Sequence, residues 1–175
     1  MVKTARTAAA SYFPFPGMAA PTPNEFRAAM ALVPTPVTVV TAPGDQVAAG
    51  ATASAVASLS LDPPLMLVCL DHQSRTLDAV RRAGRFAVNV LAAQGEEHAR
   101  TFATQSPHEE KWRDVPLAER GGVPVLGEAL IWVVCELRDL LDGGDHTIVT
   151  GVVEELEARE GVPLLFHQGR YRALE

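Results

Sequence analysis

The chain has 175 residues, 47% hydrophobic and 21% charged, which suits one globular domain with a sizeable core. Its net charge of −6 argues against nucleic acid as a main partner, because neutralising phosphates needs a basic face. Its longest apolar runs, Leu65 to Leu70 and Ala129 to Cys135, fall far short of the ~18 residues that span a bilayer, so no membrane partner is expected.

Residues 1–23 read as an extended or disordered arm, with Pro14, Pro16, Pro21 and Pro23, two basic residues and no acid. Its Tyr12, Phe13 and Phe15 could dock on a partner subunit or lie in solvent. The domain proper is expected over 24–175. Asn24 can cap a first helix carrying Phe26, Ala29, Met30 and Val33 at helical spacing, and Pro34 and Pro36 end it. The β-branched run Val37 to Thr41 reads as a strand. Pro43-Gly44-Asp45 is a turn, and Gln46 to Ala53 returns as a second strand. Leu65 to Leu70 reads as a third, fully buried strand.

Ser74 caps a helix over Arg75 to Ala83, stopped by Gly84. Phe86 to Leu91 is a strand, and Glu96 to Ala103 a helix with Phe102 inward. Thr104 to Gly122 is polar and irregular, the pattern of a lid or binding loop; Trp112 within it could cover a site or anchor the loop. Ile131 to Leu140 and Thr147 to Leu156 are strands about the turn Asp142-Gly143-Gly144-Asp145. Leu164 to Phe166 and Tyr171 form a closing hairpin around Gln168-Gly169. About eight strands and three short helices result, and tight turns between neighbours favour an antiparallel barrel or sandwich. Cys69 and Cys135 sit in apolar runs and read as reduced core thiols. No metal-ligand spacing of Cys or His is found. The N-terminus lacks the apolar segment of a secretory signal, so the expected location is cytoplasmic.

The stretch Gly50 to Leu70 carries the chemistry. It begins with small and hydroxyl residues, passes Pro63-Pro64 and ends in the apolar run. Small residues let backbone amides and hydroxyls approach a flat ligand, and a strand behind them keeps them rigid. Ser74-Arg75-Thr76 at a helix start offers free amides, a positive dipole and a charge to a phosphate. An ordinary N-cap with an exposed Arg is the alternative. Together these residues look like a cofactor cradle with a phosphate socket. No Ser-His-Asp or Cys-His arrangement for nucleophilic catalysis occurs.

Six motifs in order resemble the flavin reductase-like family, the NAD(P)H:flavin oxidoreductases that serve two-component flavin monooxygenases. They are Pro36-Val37-Thr38-Val39-Val40-Thr41; Thr52-Ala53-Ser54 through Ser58-Leu59-Ser60-Leu61-Asp62-Pro63-Pro64; Ser74-Arg75-Thr76-Leu77; Phe86-Ala87-Val88-Asn89-Val90-Leu91; Gly143-Gly144-Asp145-His146-Thr147; and Gly169-Arg170-Tyr171-Arg172. One departure is Pro34-Thr35-Pro36, where the family usually has a Thr-Gly pair.

The resemblance implies a mainly β fold with short helices, an antiparallel Greek-key split β-barrel that binds FMN or FAD. It implies hydride transfer from NADH or NADPH, with NADH favoured because no Arg cluster awaits a 2′-phosphate. Reduced flavin would pass to a partner monooxygenase, and the protein would be a homodimer. Thr52, Ala53 and Ser54 would line the ring edge, with Ser58 and Ser60 as further contacts unless their hydroxyls bond local backbone. Cys69, Leu70 and Asp71 would border the groove, and Ser74, Arg75 and Thr76 would take the phosphate. His146 would act catalytically beside flavin or nicotinamide, or else be a turn histidine bonded to Asp145. Arg170 and Tyr171 would approach from the last hairpin, with cross-strand packing the rival for Tyr171. His72, His98, His108 and His167 read as surface or turn residues. A split barrel that holds flavin without turnover is the alternative function.

Overall fold

A computed structural model describes residues 19–174. The arm's Tyr12, Phe13 and Phe15 lie outside the described residues. Helix α1 (Pro23–Met30) is capped by Thr22, not Asn24: the Thr22 side chain accepts from the Glu25 amide, and the Glu25 carboxylate accepts from the Thr22 amide. This reciprocal pair outcompetes the single Asn cap. None of its side chains is buried, and Phe26 and Met30 stand exposed.

The strands are β1 (Thr35–Pro36), β2 (Thr38–Ala42), β3 (Ala49–Ala53), β4 (Val56–Leu61), β5 (Pro64–Asp71), β6 (Arg85–Val90), β7 (Leu117–Arg120), β8 (Val123–Leu126), β9 (Ile131–Gly143), β10 (His146–Ala158), β11 (Leu164–His167) and β12 (Arg170–Ala173). The helices after α1 are α2 (Arg75–Ala83), α3 (Glu96–Ala103) and α4 (His108–Lys111). The description thus holds twelve strands and four α-helices, more than the sequence reading found. Val56–Leu61 is a strand rather than an irregular approach to the Pro-Pro turn, and Thr104 to Gly122 contains α4 and β7.

Seven strands form one antiparallel sheet in the order β3-β2-β6-β9-β10-β5-β4. Its edges, β3 and β4, are separated in the chain only by Ser54 and Ala55. A residue reaches at most ~3.6 Å, so the sheet must curl until its edges meet. The Cys69 amide donating to the Ala55 carbonyl at 2.9 Å carries the β4–β5 pairing up to that link. This is the split barrel, and the seam between β3 and β5 is its split.

β2 is buried along its whole length, so its β-branched run lacks the alternation of a half-exposed strand. Val40 joins the barrel core with Val68, Leu77, Phe86 and Val149, while Val39 joins a second core with Leu91, Phe102, Leu126 and Leu164. β5 is not fully buried: Leu65, Val68 and Leu70 are, whereas Met66, Leu67 and Cys69 are only half-buried. Strand β6 carries a buried Asn89, whose Nδ2 donates to the Val39 carbonyl at 2.9 Å and whose Oδ1 accepts from the Leu126 amide at 2.8 Å. It fastens the β7–β8 hairpin to the barrel.

Pro34-Thr35-Pro36 also has a structural use. Thr35 and Pro36 pair with β11 as the third strand of a separate sheet, β1-β11-β12. Cys69 and Cys135 are both free thiols, and burial pushes Cys135 up to about 12. No described helix is long and apolar enough to cross a membrane.

Candidate active site

The barrel split opens into a groove of about 390 Å³, within the range of small-molecule sites. One wall is the end of β3 and the link to β4, Ala51 to Ala55; the second is the end of β5, Cys69 to Asp71, running into the start of α2. Phe102, Thr104, Gln105, His108 and Lys111 close the far side. His146 enters because β10 pairs with β5 and sets it opposite Asp71.

The β3 wall is rigid for identifiable reasons. β3 pairs with β2 on one side only, which leaves its other edge, at the split, without a ladder partner. Thr52 donates its hydroxyl proton to the Ala99 carbonyl at 2.7 Å, so it offers the groove lone pairs, not a proton. Gly50 supports the wall from behind: a Cβ there would stand 2.6 Å from Phe102 Cε1. Phe102 in turn meets Trp112 edge-on at 4.7 Å, and the Trp112 indole donates to the Ala48 carbonyl. Trp112 therefore anchors the loop and does not line the groove.

The α2 end is built to receive an anion. Ser74 caps the helix, its hydroxyl accepting from the Leu77 amide at 3.4 Å, and Gly84 closes it in the left-handed conformation at φ 65°. Asp71 accepts from the Gln73 amide at 2.7 Å and orders the turn before the cap. Arg75 donates to the Gln105 carbonyl at 2.9 Å and to the Ser106 carbonyl, tying the far wall to α2. Lys111, although a lysine, is buried and donates to the Gly50 and Phe102 carbonyls at 3.4 and 3.3 Å. Burial, then Arg75, lowers its pKa. His108 is more unusual: both ring nitrogens are buried with no hydrogen-bond partner. Burial, then Arg75 and Lys111, lowers its pKa, against a smaller opposing pull from Glu109. An uncharged imidazole with idle polar atoms beside two cations suits a site that a polar ligand completes.

The structure brings Thr52, Ala53, Ser54, Cys69, Leu70, Asp71, Ser74, Arg75, Thr76 and His146 to this groove. It does not bring Ser58, Ser60, Arg170 or Tyr171. Ser58 and Ser60 lie along β4 beyond the seam, opposite Met66 and Leu65. Tyr171 packs across β11 against Phe166 at 5.2 Å, with the Arg100 guanidinium 4.8 Å from its ring centre, and its neighbour Arg170 is exposed. Cross-strand packing decides its place. His146 is half-exposed and Nδ1 pairs with Asp145 at 2.6 Å; this bond lowers the Asp145 pKa. The turn-histidine arrangement and groove membership hold together. Arg85 pairs with Glu154 away from the groove. Sequence reasoning missed His108 and Lys111. Pro107 followed by His-Glu-Glu-Lys is a short helix start that sets both on one face.

The groove fits a flavin. Ala51, Ala53 and Ala55 leave room for a flat ring, and the helix start with Arg75 and Lys111 offers the phosphate its countercharge. A closed antiparallel barrel with such a groove at its split is the build of a flavin-dependent oxidoreductase of the split-barrel type. Residues 30–175 match the flavin reductase like domain. The chain belongs to that family, and is an NAD(P)H:flavin oxidoreductase.

Its relatives agree. It is 42% identical over 147 residues to the reductase component of 4-nitrophenol 4-monooxygenase/4-nitrocatechol 2-monooxygenase from Rhodococcus opacus, covering 84% of this chain and 78% of that protein. It is 39% identical over 159 residues to the NADH-dependent FMN reductase AsuE2 of Streptomyces nodosus subsp. asukaensis, covering 87% and 85%. Among solved structures, the NADH:FAD oxidoreductase SgcE6 of Streptomyces globisporus, in complex with NAD and FAD fragments, superposes with a TM-score of 0.80 at 34% identity. That match covers 87% of this chain and 92% of SgcE6.

Proposed function

We propose that the protein uses NADH to reduce FAD or FMN in the split groove and releases the reduced flavin to a partner monooxygenase. The observation that carries this reading is the meeting of small residues from β3, the α2 start and His146 in one groove. Ala53 and Ser54 at the free strand edge orient the ring, with the Thr52 hydroxyl held back by Ala99. Ser74, Arg75 and Thr76 hold the phosphate. Bound flavin supplies the acceptor for the nicotinamide hydride. His146, steadied by Asp145, lines the groove and orients the nicotinamide.

No residue needs to act as a nucleophile, and positioning is the protein's task. Relatives named as reductase components support a monooxygenase as receiver. The two free thiols fit the reducing cytoplasm. Leu59 and Leu61 on β4 and Leu140, Leu141 and Leu156 on the β9–β10 hairpin stand exposed, which supports burial in a homodimer. NADH oxidation with FAD, FMN or riboflavin added in turn tests the activity, and light scattering tests the dimer. No flavin-dependent turnover would remove the reading.

A further inference from the structure

Helix α1 is eight residues long and buries none of its side chains, whereas a helix shorter than about 12 residues is marginal in water unless one face is packed. Its ends are fixed. Thr22 and Glu25 cap the first turn, and the Ala31 carbonyl accepts from the Gln168 amide at 2.9 Å, which ties the last turn to the β11–β12 hairpin. A cap contributes only about 1 kcal/mol, so the apolar face should need a cover. Phe26 and Met30 lie one turn apart on that face, Leu32 and Val33 follow just past the helix end, and the four are between 48% and 60% exposed.

We propose that this face is the docking site of the chain's own N-terminal segment, Tyr12 to Pro16. The segment lies outside the described residues, and the chain that carries it ends directly before α1. From Pro16 to the Thr22 cap the chain reaches at most about 22 Å, against ~12 Å of helix, so the segment is tethered within reach of the whole face. A tether this short keeps it at about millimolar effective concentration. Tyr12, Phe13 and Phe15 put three aromatic rings into four consecutive positions, a composition foreign to solvated tails. Pro14 and Pro16 alternate with them and restrict the backbone, which lowers the ordering cost of docking. Pro16-Gly17 is a turn signal at the point where the chain has to double back. A second copy fits this face less well: four side chains fall far short of the roughly 20–30 residues a side of a stable interface. Docked there, the segment steadies α1 and, through Gln168, the last hairpin. It leaves the flavin groove alone, because α1 contributes no residue to the groove lining.

The test is amide hydrogen exchange, read by NMR, on the full-length protein and on the full-length variant Tyr12→Ser/Phe13→Ser/Phe15→Ser. The Ala31 amide, which donates to the Arg27 carbonyl at 3.0 Å, should exchange about tenfold faster in the variant, the effect of uncovering roughly one large apolar side chain. The Val88 amide, in a β6 strand paired on both sides, should keep its rate. Phe26→Ser, a change nearly neutral in helix propensity, should accelerate Ala31 as much, and combining it with the triple variant should add nothing. NOEs from the Phe13 and Phe15 rings to Phe26 and Met30 should arise within one chain, as isotope filtering of a sample mixed from labelled and unlabelled chains reads directly. An unchanged Ala31 rate, an acceleration shared equally by Val88, or additive effects of the two sets of substitutions overturn the proposal. NOEs between chains also overturn it, giving the face to the arm of a second copy.

Discussion

The two walls of the groove are built on opposite terms. The β3 wall is held by ladder bonds to β2, by Thr52 on Ala99 and by Phe102 against Gly50. Its side chains are fixed and one backbone edge is paired, so it sets shape, while its other edge, at the split, is left free for a ligand. The α4 wall carries a buried lysine on two long hydrogen bonds and a histidine with two idle nitrogens. Its polar atoms are desolvated without full return, a cost that a bound ligand can offset. Rigidity and buried, unpartnered side-chain polarity are thus kept in different elements, joined through Phe102, which packs against Gly50 and whose carbonyl accepts from Lys111.

Removing a joint should have the largest effect. Phe102→Ala empties a fully buried site shared by α3, Trp112 and Gly50, and should cost about 3–5 kcal/mol in urea unfolding. A loss below about 1 kcal/mol would mean that the walls are independent. Arg75→Glu should raise KM for FMN about tenfold, ~1.4 kcal/mol, and leave riboflavin, which has no phosphate, unaffected. His146→Ala should slow NADH oxidation or raise KM for NADH while flavin affinity stays. If flavin affinity falls instead, His146 belongs with the rigid wall.

The α4 wall should also show itself in pH dependence. The His108 pKa is lowered in the fold, so below the ordinary histidine value the unfolded chain takes up a proton that the folded chain refuses. Stability should therefore fall as pH drops from about 6.5 toward the lowered value, then level. His108→Gln should flatten this acid loss, as measured by urea midpoints at intervals across that range. An unchanged slope would place the ring in water. The smallest effect is expected for Tyr171→Phe, which keeps the ring packed on Phe166 and should leave flavin affinity within error.

Legibility in the sequence followed the locality of the forces. Helix α2 was readable because Ser74, the apolar spacing and Gly84 act within the helix itself. The same holds for α3 and for the β9–β10 hairpin. Strand β4 was not, because its Ala57, Ser58 and Ser60 have weak strand preference and it exists through pairing with β5. The β7–β8 hairpin hid in a polar stretch although Gly121-Gly122, both at positive φ, is a hairpin signal. Ser74 to Thr76 and Thr52 to Ser54 could be read as site residues from their local chemistry. His108 and Lys111 could not, because only the contact of α4 with β3 and α3 buries them. Tyr171 was misplaced for the converse reason: its partner, Phe166, is set by register across a turn.

The most direct measurement is steady-state NADH oxidation with FMN and with riboflavin, by the unaltered protein and by Arg75→Glu. The account predicts flavin-dependent turnover in both, with KM raised about tenfold for FMN alone in the variant. No turnover, with flavin bound and yellow, would contradict the reductase. An equal KM for FMN in both proteins would contradict the phosphate end of the groove.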